Sequence, residues 1–263
     1  VGGKHSHYPP YHKYCVDFTR KNIGRHPSRL RSAVNRFFDV AKKGNAPFFL
    51  QVNLNDPHRP FIAAKGPDDL AKGEAPSCVV LPEEIAAVPG FLEDLPGVRE
   101  ELAQYYTNVR RLDDCVGAVL NTLDEADLAQ DTLVIFYGGD HGMAFPFAKG
   151  NNYVDSSRGG LIIRWPGYTV AGSMDDQHFI STVDFTPTIL DAAGCPPIPD
   201  IVGRSFLGAV TGSPLEGDWQ HVFTFYNQMF VQRWYPMRGV ITRDFVYIWN
   251  AWSNGQKQFS PVV

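Results

Sequence analysis

The sequence has 263 residues, of which 44% are hydrophobic and 20% charged, as in an ordinary globular protein with room for one large α/β domain and a small appendage. Its net charge of −4 argues against a dedicated nucleic-acid-binding protein, which usually carries a basic stripe. No run is apolar enough to span a membrane, and the four scattered cysteines form neither a disulfide scaffold nor a zinc motif. Cys115 occupies an apolar helical position and is expected to be a buried free thiol.

The N-terminal part of the chain predicts a loop, a helix, a strand and a long surface excursion, in that order. Residues 1–27 are rich in His, Tyr, Pro and Gly and predict an irregular loop, after which Ser28 is a suitable N-cap for a helix that stops at Gly44. The apolar run 48–54 predicts a strand that ends in the polar segment Asn-Asp-Pro-His-Arg-Pro. Residues 61–96 are rich in Pro, Gly and charge, and a loop of this length is usually functional.

The middle of the chain predicts a helix followed by a buried strand. Apolar residues at spacings of three and four over 102–123 predict an amphipathic helix, with charged residues on its other face. The continuous apolar run 133–137 predicts a strand that is covered on both faces, and two glycines end it. Asp140 and His141 follow at the carboxyl end of that strand, which is where open α/β sheets bind ligands.

Strands and helices continue to alternate until the character of the chain changes near residues 211–214. Residues 161–165 predict a strand, and 181–194 predict a helix with Ser at its start and Gly at its end. This alternation favours a parallel sheet. The aromatic and β-branched segments 221–226 and 240–249 have no helix between them and predict an antiparallel addition.

The acid–imidazole pair after the 133–137 strand has two interpretations. A carboxylate oxygen of Asp140 and a ring nitrogen of His141 are suitable ligands for a divalent cation. Alternatively, Asp140 only hydrogen-bonds backbone amides in a turn after the strand. The stretch by itself leaves both interpretations open.

Several motifs spread over the chain resemble those of one enzyme family. They include Gly-Gly-Lys-His at the start, Asn-Asp-Pro-His-Arg before residue 60, Gly-Gly-Asp-His-Gly after the central strand, and Tyr-Pro-Met-Arg near the C-terminus. The stretches that match the family are 1–5, 47–59, 105–117, 132–149, 183–191 and 235–238. In this order they resemble the sulfatases of the alkaline phosphatase superfamily, in particular the heparan N-sulfatase branch. The resemblance implies an alkaline-phosphatase-like three-layer α/β/α core with a mostly parallel sheet over 1–212. It also implies the start of a small C-terminal antiparallel α+β subdomain over 213–263.

The resemblance also assigns a metal site. Asp140 and His141 match the second half of the family's site, where Ca²⁺ is the expected ion because it prefers oxygen ligands. The imidazole of His141 leaves Mn²⁺ or Zn²⁺ as alternatives.

Four further residues match substrate-binding positions of the family. His58 matches a histidine that contacts the sulfate and can protonate the leaving group, and Lys149 matches a basic position that neutralises the sulfate oxygens. Lys4 and His5 match the family pattern Gly-Lys-x-His, but one residue out of register. As structural alternatives, the histidines are loop or turn residues and Lys149 is a solvated lysine.

The family nucleophile is formylglycine, made from the Cys or Ser of Cys/Ser-x-Pro-x-Arg, and this sequence contains no such motif; Cys195-Pro-Pro-Ile-Pro lacks the arginine. We therefore expect a chain that lacks an N-terminal segment and is inactive alone. The parent protein is expected to be an extracytoplasmic hydrolase of N- or O-sulfated sugars. The alternatives are a phosphonate or phosphodiester hydrolase of the same superfamily, and a non-catalytic relative that binds sulfated glycans.

Overall fold

The computed structural model describes residues 23–44, 46–62, 73–139, 142–228, 234–251 and 253–254. The chain divides into two compact units, Val1–Ala129 and Gln130–Val263. In the described part of the chain, no helix has the length and apolar character needed to cross a membrane.

The first unit is built on two helices, α1 (Pro27–Lys43) and α2 (Pro96–Glu125), which pack against each other. The buried apolar residues of α1 are Leu30, Ala33, Val34 and Phe38, and those of α2 include Leu102, Cys115 and Leu123. The described part of the connection between the helices contains a 3-10 turn, Pro82–Glu84. Both predicted helices are therefore confirmed, and Cys115 is a buried free thiol as expected.

The start of α1 differs from the prediction. The helix begins at Pro27 with His26 at the N-cap, because proline suits the first helical position, where its missing N–H has no helical partner. The hydroxyl of Ser28 instead hydrogen-bonds the carboxylate of Glu74, so Ser28 is not the cap. The C-terminal end is as predicted, since the N–H of Gly44 closes the last turn.

The strand predicted over residues 48–54 was wrong for this structure. These residues have no regular secondary structure and are half-buried or exposed. A central strand needs partners for its N–H and C=O groups on both sides, and the described residues place no strand beside this segment.

The second unit contains β1 (Val134–Gly138) and β2 (Gly160–Arg164), both within one residue of their predicted positions. They pair antiparallel, from Val134 opposite Arg164 to Gly138 opposite Gly160. Among its described residues, the connection carries only a short helix, α3 (Val154–Ser157). The chain returns to the end of the pair where β1 finishes, so β1 and β2 are not joined by a crossover. The described strands thus include no parallel pair, contrary to the parallel sheet expected for this segment.

Two further helices follow β2, namely α4 (Phe185–Ala192) and α5 (Leu207–Thr211). The 3-10 turn Thr182–Asp184 precedes α4, and the side chain of Asp184 accepts a hydrogen bond from the N–H of Ser181. After α4, Gly194 adopts a left-handed conformation with φ 64°, as a glycine at a helix end commonly does. The predicted start and stop of this helical segment are confirmed.

The C-terminal strands form an antiparallel sheet in the order β3 (His221–Gln228), β4 (Trp234–Thr242) and β5 (Val246–Asn250). The antiparallel addition is therefore confirmed. The segment 240–249 is not one strand, however, because a turn at residues 243–245 divides it between β4 and β5.

Candidate active site

The segment 55–62, called the His58 loop below, carries the first candidate catalytic residue. A turn closes at its start, where the N–H of His58 donates to the carbonyl of Asn55 at 3.0 Å. The half-buried His58 ring places Nδ1 2.5 Å from the carbonyl oxygen of Arg59. Because a carbonyl can only accept, Nδ1 carries a proton, and Nε2 is the nitrogen at which the ring gains or loses its second proton.

A buried ion cluster lies at the base of this loop. Nε of Arg111 donates to Oδ2 of Asp56 at 2.6 Å, and Nη2 of Arg111 donates to Oδ1 at 3.2 Å. Nε of Arg25 lies 2.9 Å from the same Oδ1. The side chains of Asp56 and Arg111 are 0% and 1% exposed. Nη1 of Arg111 also donates to the carbonyl of Glu74 at 3.3 Å. One carboxylate thus holds two guanidinium groups inside the first unit.

The cluster affects the acidity of its neighbours. Burial lowers the pKa of the Arg25 guanidinium, and the Asp56 carboxylate opposes this change. Burial, together with the negative charge of Asp56, raises the pKa of the Cys115 thiol to about 12. Cys115 is therefore a protonated, unreactive thiol at neutral pH.

Side chains also hold the backbone of the His58 loop directly. Nη2 of Arg25 donates to the carbonyl of His58 at 2.5 Å. Nδ2 of Asn108 donates to the carbonyls of His58 and Pro60 at 3.5 and 3.3 Å, while its Oδ1 accepts from the N–H of Ile62 at 2.9 Å. Asn108 is fully buried, so these contacts are shielded from water.

The second candidate, Lys149, is half-buried and lies in a tight turn of the second unit. Ala148, just before it, is fully buried and donates its N–H to Phe145. Nδ2 of Asn151 donates to the carbonyl of Lys149 at 3.2 Å, and the N–H of Tyr153 donates to Oδ1 of Asn151 at 2.8 Å. The turn is thus stabilised on both sides of the lysine.

The glycines around the predicted metal ligands have clear structural reasons. Gly139 directly follows β1 and has φ 82°, a conformation that residues with a side chain disfavour. A Cβ on Gly142 would overlap the carbonyl oxygen of Asp155, so only glycine fits there. Asp140 and His141 themselves lie outside the described residues, so their predicted role in metal binding stays a prediction.

Lys4 and His5 also lie outside the described residues. Within the described ranges, no group of three or more acidic, His or Cys side chains is arranged to hold a metal ion. His58 belongs to the first unit and Lys149 to the second, and their convergence with Asp140 at one anion pocket stays a prediction.

Sequence reasoning missed the residues that support the His58 loop. It placed the charged residues of the 102–123 helix on the face opposite the apolar stripe, whereas Arg111 is buried. One signal was available: Asn108 and Arg111 lie seven and four residues before the buried Cys115, which places all three on one helical face. Hydrophobicity alone cannot indicate this, because a buried arginine depends on a partner elsewhere in the sequence.

Both the fold and the sequence of this chain are similar to those of known proteins. A solved structure of a Bacteroides thetaiotaomicron protein from work on the metabolism of multiple glycosaminoglycans matches 89% of this chain and 51% of its own, with a TM-score of 0.65 and 22% identity. A solved 2-O GAG sulfatase matches 95% of this chain and 57% of its own, with a TM-score of 0.62 and 16% identity. These similarities place the chain in the alkaline-phosphatase-like fold class, as predicted.

Sequence models then give the family. The model described as Sulfatase matches residues 5–195, and the model described as N-sulphoglucosamine sulphohydrolase, C-terminal matches residues 139–256. The chain therefore belongs to the sulfatase family. It is 31% identical to human N-sulphoglucosamine sulphohydrolase over 277 aligned positions, which cover 95% of this chain and 54% of the human protein. The chain thus spans about half the length of that relative.

Proposed function

We propose that this chain is part of a metal-dependent sulfohydrolase that removes sulfate from a sulfated sugar, either as an N-sulfate or as an O-sulfate. The observation that carries the proposal is the sulfatase-family match over residues 5–195, which includes His58, Asp140, His141 and Lys149. The sugar substrate is supported by the similarity to human N-sulphoglucosamine sulphohydrolase. An extracytoplasmic location is proposed from kinship alone.

His58 is proposed as the general acid that protonates the leaving group. Its Nδ1 proton is directed at the Arg59 carbonyl, so a protonated ring would deliver its second proton from Nε2. This role requires His58 to be cationic before the step and neutral after it. A general acid contributes a rate factor on the order of 10²–10⁴, mainly for leaving groups that are poor when unprotonated.

The remaining residues are proposed to bind the sulfate and the metal. Lys149 would place a compact positive charge beside the sulfate oxygens, and Lys4 and His5 would add a further cation and donor. Asp140 and His141 would hold part of a divalent-cation site. Ca²⁺ is the proposed ion because it prefers oxygen ligands, and the imidazole of His141 makes Mn²⁺ or Zn²⁺ the alternatives. When bound, the ion would withdraw charge from the sulfate oxygens.

The nucleophile is proposed to lie outside these 263 residues. The family uses formylglycine, and no Cys/Ser-x-Pro-x-Arg motif occurs in this sequence. We therefore expect that the chain alone does not hydrolyse sulfate esters. The reading frame upstream of Val1 should encode the motif, and a frame without it would contradict formylglycine chemistry.

The test uses the full-length, matured protein. It should release sulfate from N-sulfoglucosamine or an O-sulfated sugar faster than it releases phosphate from a matched phosphodiester; the reverse preference would favour the phosphodiesterase alternative. His58→Ala should lower kcat on the sugar sulfate by about 10²-fold or more. His178→Ala is the matched control, because this histidine is also partly exposed but pairs with Asp175 at 2.8 Å. Equal activity of the two variants would contradict the role of His58.

One specific observation favours a second candidate, a non-catalytic protein that binds sulfated glycans: the nucleophile motif is absent from this sequence. It predicts glycan binding that survives chelation of metal and the substitution Asp140→Ala. The enzymatic proposal predicts that both treatments weaken binding, which isothermal titration with a heparin-type oligosaccharide would measure.

A further inference from the structure

The His58 loop is held by side chains that do not belong to any of the proposed catalytic positions. Asn108 and Arg25 together donate to the backbone carbonyl of His58, and Asn108 spans the loop from that carbonyl to the N–H of Ile62. Asn108 therefore uses both its donor and its acceptor on one loop. This is a complete use of a buried amide, because an unpaired amide in the interior would be costly.

The contacts are anchored by the buried ion cluster. Asp56 is the second residue of the loop, and its carboxylate binds Arg111 through two nitrogen–oxygen contacts of 2.6 and 3.2 Å. Arg111 and Asn108 lie one turn apart on α2, so a single 30-residue helix holds the loop at two points. Paired guanidinium–carboxylate contacts fix orientation as well as distance, and burial protects them from solvent.

The anchored backbone in turn determines the state of the imidazole. Nδ1 of His58 donates to the next carbonyl of the same loop, that of Arg59. If the loop backbone shifted, this contact would weaken, and the ring would lose both its orientation and its preferred tautomer. A general acid must be held within about 0.5 Å of its productive position to be effective.

We infer that Asn108, Arg111 and Asp56 are positioning residues for His58, which hold the His58 loop so that its imidazole keeps Nδ1 protonated and uses Nε2 for proton transfer. The inference rests on the proposed function, since it assumes that His58 is a general acid. It assigns to three buried residues of the first unit a role in the reaction that is separate from substrate or metal binding.

The experiment compares Asn108→Ala with wild type in the full-length, matured protein on two substrates. On a sugar or alkyl sulfate, whose leaving group needs a proton, the variant should lose about 10- to 100-fold in kcat, because a displacement near 1 Å can cost about 10²-fold. On 4-nitrophenyl sulfate, whose leaving group departs without a proton, the loss should be below about threefold. In a His58→Ala background, Asn108→Ala should have almost no further effect on either substrate.

The matched control is Thr107→Val, one residue earlier on α2. Thr107 is also buried, but its hydroxyl accepts from the N–H of Val80 and donates to the carbonyl of Ala103, and neither residue belongs to the His58 loop. It should leave the ratio of the two rates unchanged. If Asn108→Ala does not fold, Arg111→Lys replaces it; this variant keeps the charge but loses the paired contact, and should change the rate ratio in the same direction.

A measurement without turnover completes the test. In protein labelled with ¹⁵N-histidine, the His58 signals of wild type should show a protonated Nδ1, and Asn108→Ala should move them towards a mixture of tautomers. If His58→Ala changes the rate ratio but Asn108→Ala and Arg111→Lys do not, the positioning role is overturned while the proposed function stands. If wild type is inactive towards both substrates, the proposed function fails, and an unchanged ¹⁵N spectrum in Asn108→Ala then overturns the positioning role as well.

Discussion

Replacing Asp56 by Asn is expected to be the most destabilising single-atom change in the first unit. Asn keeps the shape of the side chain but removes the negative charge that holds Arg25 and Arg111. The Asp56 side chain is 0% exposed and that of Arg111 is 1% exposed, so water cannot replace the lost partner. Leaving a buried charge without its partner costs about 3–5 kcal/mol, a large part of a typical stability of about 5–15 kcal/mol.

In a chain of this size, each kcal/mol corresponds to about 2–4 °C in Tm, so Asp56→Asn should lower Tm by roughly 6–20 °C. The control is Arg31→Met, which breaks a pair with Glu125 of similar length, 2.7 Å, in which both side chains are about half exposed. A surface pair of this kind contributes about 0–1 kcal/mol. Thermal unfolding followed by circular dichroism would measure both. Equal Tm shifts for the two variants would refute the claim that burial makes the Asp56 cluster strong.

Three further predictions concern other parts of the structure. Burial raises the pKa of Cys115 to about 12, so at pH 8 roughly one Cys115 thiol in 10⁴ is ionised. A thiol reagent should therefore modify the exposed Cys78 quickly and Cys115 only after unfolding. Equal rates of modification of the two cysteines would contradict this prediction. Burial lowers the pKa of His26, so the folded state binds fewer protons than the unfolded chain, and the free energy of unfolding falls as pH drops through about 6.5. In urea titrations between pH 8 and 5, His26→Gln should make this decrease smaller. An unchanged dependence of stability on pH would contradict the role of His26. Gly142→Ala should lower Tm because the new Cβ would overlap a backbone carbonyl oxygen. Gly117→Ala, in the middle of α2 with open space around the new Cβ, should raise stability by about 1 kcal/mol. Similar Tm values for the two variants would show that the backbone at Gly142 can move to accommodate a side chain.

Much of the secondary structure was predictable from local patterns. The helices α1 and α2, the strands β1 and β2, and the 3-10 turn that leads into α4 all lie close to their predicted positions, because periodic apolar residues and terminal Ser, Pro and Gly act within a few residues. Residues 48–54 were not predictable in this way. An apolar run becomes a strand only when other segments supply hydrogen-bond partners, and a local pattern does not contain that information.

The candidate site also contains residues that could be predicted from the sequence and contacts that could not. His58 and Lys149 could be selected from sequence because residue types and family motifs identify chemically suitable groups. Their surroundings could not be derived from the sequence in the same way. The contacts that hold the His58 loop join residues separated by up to 55 positions, as in the pair Asp56–Arg111, and nothing in the local sequence of either residue predicts the other.

The sequence by itself determined the family, the residue types available for chemistry and the places where helices begin and end, because these depend on neighbouring residues and on recognisable motifs. The tertiary structure alone decided which partners Arg111 and Asn108 bind and that β1 and β2 run antiparallel. The physical reason is that the burial of a polar group and the direction of strand pairing are set by partners distant in sequence, whose positions are fixed only when the chain folds.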